Sequence, residues 1–328
     1  MTITPQAEAP RRPARILATG GAGFIGTHVA AELMAAGHEV VILDNFANSS
    51  PEAVARLEAL GLGRVELVRG DVRDAATLDR LFAGGRIDAV VHLAGLKAVG
   101  ESVAAPLAYY EANVVGAVTL FEAMRRHGVR RLVFSSSATV YAEPGANLPE
   151  TAPLGALNPY GRTKLFIERI IDDLAAAEPD FAAISLRYFN PVGAHPSGLL
   201  GEAPNGPPNN LFPWIAEVAA GLRPALRVFG DDYPTPDGSG VRDYIHVVDL
   251  ARGHLAAIER LLADAAMAGR NTPINLGVGR GVSVFEAARA FAAASGAPIP
   301  LEIAPRRPGD AAECTADPSE AARLLGWR

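Results

Sequence analysis

Arg15-Ile16-Leu17-Ala18-Thr19-Gly20-Gly21-Ala22-Gly23-Phe24-Ile25-Gly26 is the stretch that decides the fold. A short apolar run leads into glycines at 20, 23 and 26, and a helix pattern follows from Phe24 to about Ala36. The first glycine suits a tight turn, the second lets the backbone approach a pyrophosphate, and the third lets the helix pack closely on the strand. The helix N-terminus then offers unpaired N–H groups and the positive end of its dipole to phosphates. A glycine turn alone is as often purely structural. Here, however, residues 38–44 (HEVVILD) read as the next buried strand, and Asp44 ends it. A carboxylate at that point accepts from the ribose hydroxyls of NAD and repels the extra phosphate of NADP. NAD is the expected cofactor.

Outward from this unit, strand and helix signals alternate. Residues 65–68, 89–93, 131–135 and 182–187 are strand-like, with helical patterns between them, notably 108–127. The strands are continuously apolar, which predicts an α/β fold built on a doubly wound parallel sheet. After Arg187 the texture changes: residues 190–210 and 230–240 are rich in Pro, Gly and Asn. Long ordered loops of this kind are usually functional. Helices are expected at 211–220, 247–263 and 283–294, and strands at 226–229, 274–276 and 301–304. The predicted organisation is a flexible leader at 1–14 and a Rossmann-like dinucleotide domain at 15–188. Residues 243–270 return to that domain. A smaller α/β substrate domain is formed by 189–242 and 271–328.

Composition excludes several classes of function. The 328 residues are 49% apolar and 20% charged, an ordinary globular balance. Thirty basic residues against 36 acidic ones give a net charge of -6. That is no footprint for nucleic acid or an anionic membrane. No run reaches the roughly 18 apolar residues of a membrane span. One cysteine, Cys314, rules out an intrachain disulfide and fits a reducing cytoplasm. No metal site is expected.

Chemistry points to Asn158-Pro159-Tyr160-Gly161-Arg162-Thr163-Lys164, just upstream of the helical run 165–177. If the helix has begun by Tyr160, the phenol and the Lys164 ammonium share one face. The positive charge is expected to lower the phenol pKa from near ~10 and make a base. Upstream, Ser135-Ser136-Ser137 ends the fifth strand, where a doubly wound sheet places its ligands. Asn45 and Asn48 read either as ribose or adenine contacts or as ordinary turn residues. Gly70-Asp71-Val72 follows the third strand, where adenine would lie. The small residues of Leu93-Ala94-Gly95 suggest backbone passing close to the cofactor. Lys97 is a candidate charged contact, whereas His92 reads as a packed strand residue.

In this order the motifs resemble the extended short-chain dehydrogenase/reductase family and, within it, the UDP-glucose 4-epimerases. The resemblance covers 15–328 and rests on the strings TGGAGFIG, LDNFANS, HLAGLKAVGESV, FSSSATVY, NPYGRTK, LRYFNPVGAHPSG, PNNL, GVRDYIHV and APRRPGD. It implies Ser137, Tyr160 and Lys164 as the catalytic group. On the cofactor side it implies Gly20, Gly23, Phe24, Ile25, Gly26, Asp44, Asn113 and Ser135, with Tyr188 and Phe189 lining the nicotinamide pocket. It places Asn190, Asn209, Asn210, Leu211, Phe229, Arg242, Arg307, Asp310 and Cys314 on the nucleotide-sugar side. Two arginines can fork onto a diphosphate, an aspartate can accept from ribose, and a phenyl ring can face uracil.

The implied reaction inverts carbon 4 through a 4-keto sugar, using tightly held NAD without net oxidation. Rival readings are a 4,6-dehydratase or decarboxylase of the same fold, or a non-catalytic NAD-binding sensor. A dehydratase would carry Asp-Glu where this chain has Ala138 and Thr139, and a sensor would lack Tyr160 and Lys164. The resemblance also implies a homodimer formed through the helices around 108–127 and 165–177. It implies that relatives continue past Arg328 by roughly one helix. Counting back from Ala316-Asp317, it puts Cys314 where a tyrosine restricts relatives to glucose and galactose. A small residue there implies acceptance of UDP-N-acetylglucosamine and UDP-N-acetylgalactosamine as well.

Overall fold

The computed structural model describes residues 13–206, 208–307 and 310–328; the expected leader falls almost wholly outside them. Strand β1 (Arg15–Thr19) runs into helix α1 (Phe24–Ala35) and strand β2 (Glu39–Asp44). Then come α2 (Pro51–Glu58), β3 (Glu66–Arg69), α3 (Ala75–Ala83) and β4 (Ala89–His92). After α4 (Val99–Ala104), α5 (Pro106–Tyr109) and α6 (Gly116–Arg126), the chain forms β5 (Arg131–Ser135), α7 (Pro159–Ala177) and β6 (Ala182–Tyr188).

The continuous apolar strands are explained by two cores. Ile16, Ala18, Val40, Ile42 and Val91 enter one, while Leu17, Val41, Leu43 and Val90 enter the other. Side chains of a strand alternate between faces, so a sheet covered by helices on both sides needs every position apolar. Pairing is parallel throughout: β1 lies between β2 and β4, β3 outside β2, β5 beside β4 and β6 beside β5. The chain thus builds the sheet in opposite directions from β1, and the gap between β1 and β4 opens a crevice at the strand C-termini.

The expected helix 108–127 is interrupted. Between α5 and α6 lies a π-helical turn, Tyr110–Val115. It buries Asn113, a device often found beside functional sites.

Beyond β6 the elements are β7 (Asn190–Val192), α8 (Leu211–Ala219), β8 (Leu226–Phe229), β9 (Val241–His246) and α9 (Val247–Ala263). They are followed by β10 (Arg270–Leu276), β11 (Gly281–Ser283), α10 (Val284–Ser295), β12 (Leu301–Ala304), β13 (Glu313–Cys314) and α11 (Ser319–Leu325). Strand β9 organises this region. It pairs with β7, β11 and β13, while β8 and β12 form a separate parallel pair.

One expected boundary is corrected. Residues 271–276, expected in the substrate domain, belong to the large sheet, where β10 pairs with β6 as the seventh strand. Ile274 and Leu276 share the core of Ile184 and Leu186, and that burial fixes the strand there. The C-terminal segment follows it: α11 packs on α9 and β10, and Trp327 Nε1 donates to Asp249 O at 2.8 Å. No helix among the described residues is long and apolar enough to cross a membrane.

Candidate active site

The crevice between β1 and β4 continues into a cleft whose walls begin with Gly20, Gly23, Phe24, Ile25 and Gly26. Gly20 adopts φ 69°, and a Cβ there would lie 2.7 Å from Ala94 N. A Cβ on Gly26 would lie 2.4 Å from Gly20 O. The loop, the start of α1 and the end of β4 therefore meet backbone to backbone. Gly23 caps α1 without any side-chain hydrogen bond, which leaves the first-turn N–H groups of a twelve-residue helix facing the cleft. This cradle fits a dinucleotide pyrophosphate.

Asp44 stands at the end of β2 with a buried carboxylate. Oδ2 accepts from Ala22 N at 3.0 Å, and Oδ1 accepts from Phe46 N and Ser49 Oγ, each at 2.8 Å. The carboxylate thus ties the glycine loop to the 44–49 turn and keeps lone-pair capacity for a ribose hydroxyl. Asn45, Asn48, Asp71 and Val72 line the same end. Asp71 accepts from Asn45 Nδ2 and from Arg73, whose guanidinium holds this carboxyl well below the usual range. Leu93, Ala94, Gly95, Lys97, Tyr160, Lys164 and Tyr188 continue the wall.

Three expected cofactor residues have side chains engaged by protein partners. The Asn113 amide accepts from Leu96 N and donates to Leu96 O and Thr163 Oγ1. It braces the 95–97 loop against α7. Ser135 Oγ is engaged with the ring of His254 at 3.0 Å and also bonds to the Tyr188 phenol, while its carbonyl receives Lys164. Phe189 packs with Tyr141, Leu148 and Ala316 in a small separate cluster. Each side chain is buried among other partners, which spacing alone does not reveal.

Asn158 caps α7 by accepting from Gly161 N, so the helix has begun by Tyr160. A Cβ on Gly161 would lie 2.6 Å from Thr139 O, which seats the first turn of α7 on the turn after β5. Ser137 Oγ accepts from Thr139 N at 3.2 Å and Thr139 Oγ1 at 3.0 Å, so its own proton is free to be donated. Lys164 Nζ donates to Ser135 O at 2.8 Å and lies 5.9 Å from the Tyr160 ring centroid.

The expected direction of the Tyr160 shift is corrected. Burial pushes this phenol up, and the Ser137 hydroxyl only partly opposes it. Burial also lowers Lys164 to about 8, with Glu168 opposing. Desolvation disfavours both charged forms.

On the sugar side, Arg242 lies on β9 beside Cys314 of β13, and its Nη1 donates to Val241 O. Arg307 lies over the Phe229 ring at 4.8 Å and pairs with Asp310 at 2.7 Å. Asn190 sits on β7, while Asn210 and Leu211 open α8 with Asn209 exposed beside them. Cys314 packs beside Ala138, Tyr141 and Phe189. Burial pushes its thiol up to about 11 and keeps it neutral.

Sequence reasoning missed Glu202, Ala203 and Pro204, which line the cofactor cleft. Glu202 accepts from Lys97 Nζ at 2.9 Å and from Asn210 Nδ2 at 2.6 Å. Asn205 N donates to Asn48 Oδ1 at 3.1 Å. The available signal was the long Pro- and Gly-rich loop itself, which names no particular residue.

A sequence profile of the NAD dependent epimerase/dehydratase family matches residues 16–277. The UDP-glucose 4-epimerase of Neisseria meningitidis serogroup C is 54% identical over 317 residues, covering 96% of this chain and 92% of that protein. That of Bacillus subtilis (strain 168) is 53% identical over 317 residues, covering 95% and 91%. The crystal structure of UDP-glucose 4-epimerase from Bifidobacterium longum in complex with NAD+ and UDP matches with a TM-score of 0.92 at 51% identity, covering 96% of this chain and 93% of that one. The chain belongs to the NAD dependent epimerase/dehydratase family.

Proposed function

We propose that this chain reversibly epimerises UDP-glucose and UDP-galactose at sugar carbon 4, through a 4-keto sugar and retained NAD. One observation carries the reading. A buried phenol, a buried ammonium four residues on and a strand-end hydroxyl converge at the glycine-lined cleft, and no carboxylic acid follows the hydroxyl. Bound NAD supplies a hydride acceptor and donor, and a cationic ring that favours phenolate beside it. Tyr160 takes the proton of the 4-hydroxyl and returns it to the same oxygen. Ser137, its lone pairs filled by Thr139, donates to that oxygen. Lys164 holds positive charge behind the phenol. Arg242 and Arg307 hold the diphosphate and Asp310 the uridine ribose, while Asn190, Asn209, Asn210 and Leu211 border the sugar. UDP is anchored while the ring turns. A dehydratase would need an acid at Ala138 or Thr139, and neither side chain can supply one.

The test is incubation of the purified protein with UDP-galactose and no added nucleotide. Conversion to an equilibrium mixture with UDP-glucose is expected. A deoxy product, or none, overturns the reading.

A cysteine at 314 is smaller than the tyrosine ring that the resemblance places there, and we infer that the difference in volume admits an N-acetyl group on carbon 2. Both UDP-N-acetylhexosamines are therefore expected substrates. Cys314→Tyr should abolish their turnover, by at least about a hundredfold on the loss expected from a filled pocket, and spare the glucose pair. A wild type inactive on UDP-N-acetylgalactosamine contradicts this.

The protein works as a cytoplasmic homodimer in this account. Leu107, Val115, Val118 and Phe166 are exposed together along 107–118 and α7, and Phe166 stacks with Tyr110. Such a patch suits a partner helix pair. A monomeric mass by light scattering would contradict it.

A further inference from the structure

Behind the catalytic face lies a charged pair that the reaction as described does not use. Glu168 is one turn beyond Lys164 on α7, and Arg187 is the penultimate residue of β6. Both side chains are 3% exposed, and Arg187 Nη2 donates to Glu168 Oε2 at 2.6 Å. Arg187 Nε adds a bond to Glu168 Oε1 at 3.0 Å, so the fork is bidentate. The same Oε1 accepts from Ser136 Oγ, between the serine whose carbonyl receives Lys164 and the serine that faces Tyr160. Arg187 reaches further, donating to Glu150 O at 2.9 Å and lying over the Tyr141 ring at 5.2 Å. A buried pair that joins a helix, a strand and a strand end is weak evidence of stability for its own sake. It is well placed to hold their register.

Resting on the epimerase reading, we propose that Glu168, clamped by Arg187, is a positioning residue for the reaction. It locks Ser135–Ser137 against the Tyr160/Lys164 face of α7 and places a negative charge behind the lysine. The groups around Lys164 leave few other sources of that charge. On its own helix it has Tyr160 and Glu168, from β5 the Ser135 carbonyl and the Phe134 ring at 4.9 Å, and from β4 His92. From β6 come Tyr188, whose phenol burial pushes up, and Arg187, which faces Glu168. His92 is held neutral by burial, down at about 3. Among the described residues, Glu168 is the anion whose field opposes the desolvation of Lys164.

Glu168→Gln tests the proposal. The amide oxygen can still accept from Ser136 Oγ and Arg187 Nε, but the NH2 cannot accept from Arg187 Nη2 and the charge is gone. The expected result is kcat lower by about 10- to 100-fold, with UDP affinity unchanged within about twofold. The alkaline limb of the kcat–pH profile should move down by about one unit, because the lysine loses its proton earlier. A purely structural role would lower the melting temperature and leave that limb in place. Wild-type kcat and limb in Glu168→Gln overturn the proposal, whereas an inactive wild type would instead overturn the epimerase reading. Should Glu168→Gln fail to fold, Ser136→Ala loosens the strand end without uncovering a charge. A fall in kcat at unchanged UDP affinity is then expected, and an unchanged kcat overturns the proposal.

Discussion

Tyr160→Phe is expected to lose turnover by about 100- to 10,000-fold, the range for a general base matched to its proton. It should leave the fold and bound NAD intact. The ring is buried at the first turn of α7, and only the hydroxyl is removed. Because burial holds the phenol up in the protein alone, its activation depends on Lys164, on the Ser137 hydroxyl and on the cationic ring of the bound cofactor. Steady-state kcat, the melting temperature and the nucleotide released on denaturation check all three parts. Turnover near that of wild type removes Tyr160 from the role of base.

Gly26→Ala is expected to strip the protein of its cofactor. The new methyl would lie 2.4 Å from Gly20 O and 2.6 Å from Gly21 Cα, both backbone atoms that no rotamer change can move. Helix α1 must therefore back away from the loop. Overpacking of this kind costs about 1–3 kcal/mol. It also takes the first-turn N–H groups of α1 out of reach of the pyrophosphate. Purified variant should carry little NAD and regain part of its activity when NAD is added in excess. Full NAD occupancy with an unchanged melting temperature would show that the close approach does not matter.

The parts of the molecule legible in the sequence are local in the chain. The glycine spacing, the Asp44 strand end, the continuous apolar strands and the Tyr160–Lys164 spacing each lie within one element or one turn. What escaped depends on distant partners. Strand β9 carries the buried Asp243, whose carboxylate accepts from Val278 N, Gly279 N and Ala316 N. An aspartate in the run Val-Arg-Asp-Tyr argues against a strand until those donors are known. Asn113 is implied only by the resemblance, and nothing near it in sequence shows that a π-turn aims it at Leu96. The Tyr160 shift came out with the wrong sign for the same reason. A charge four residues away is visible in the sequence, whereas the burial that outweighs it is a property of the fold. Glu168 sits at helical spacing from Lys164, but its partner Arg187 is on another element.

The central claim is that one group at carbon 4 leaves and returns within a single closed site. UDP-galactose carrying deuterium at carbon 4, turned over in ordinary water without added nucleotide, measures this directly. The account predicts UDP-glucose with the deuterium still at carbon 4, because Tyr160 exchanges only the oxygen-bound proton. Washout of the label into solvent would mean that carbon 4 loses a proton instead, and would contradict the account.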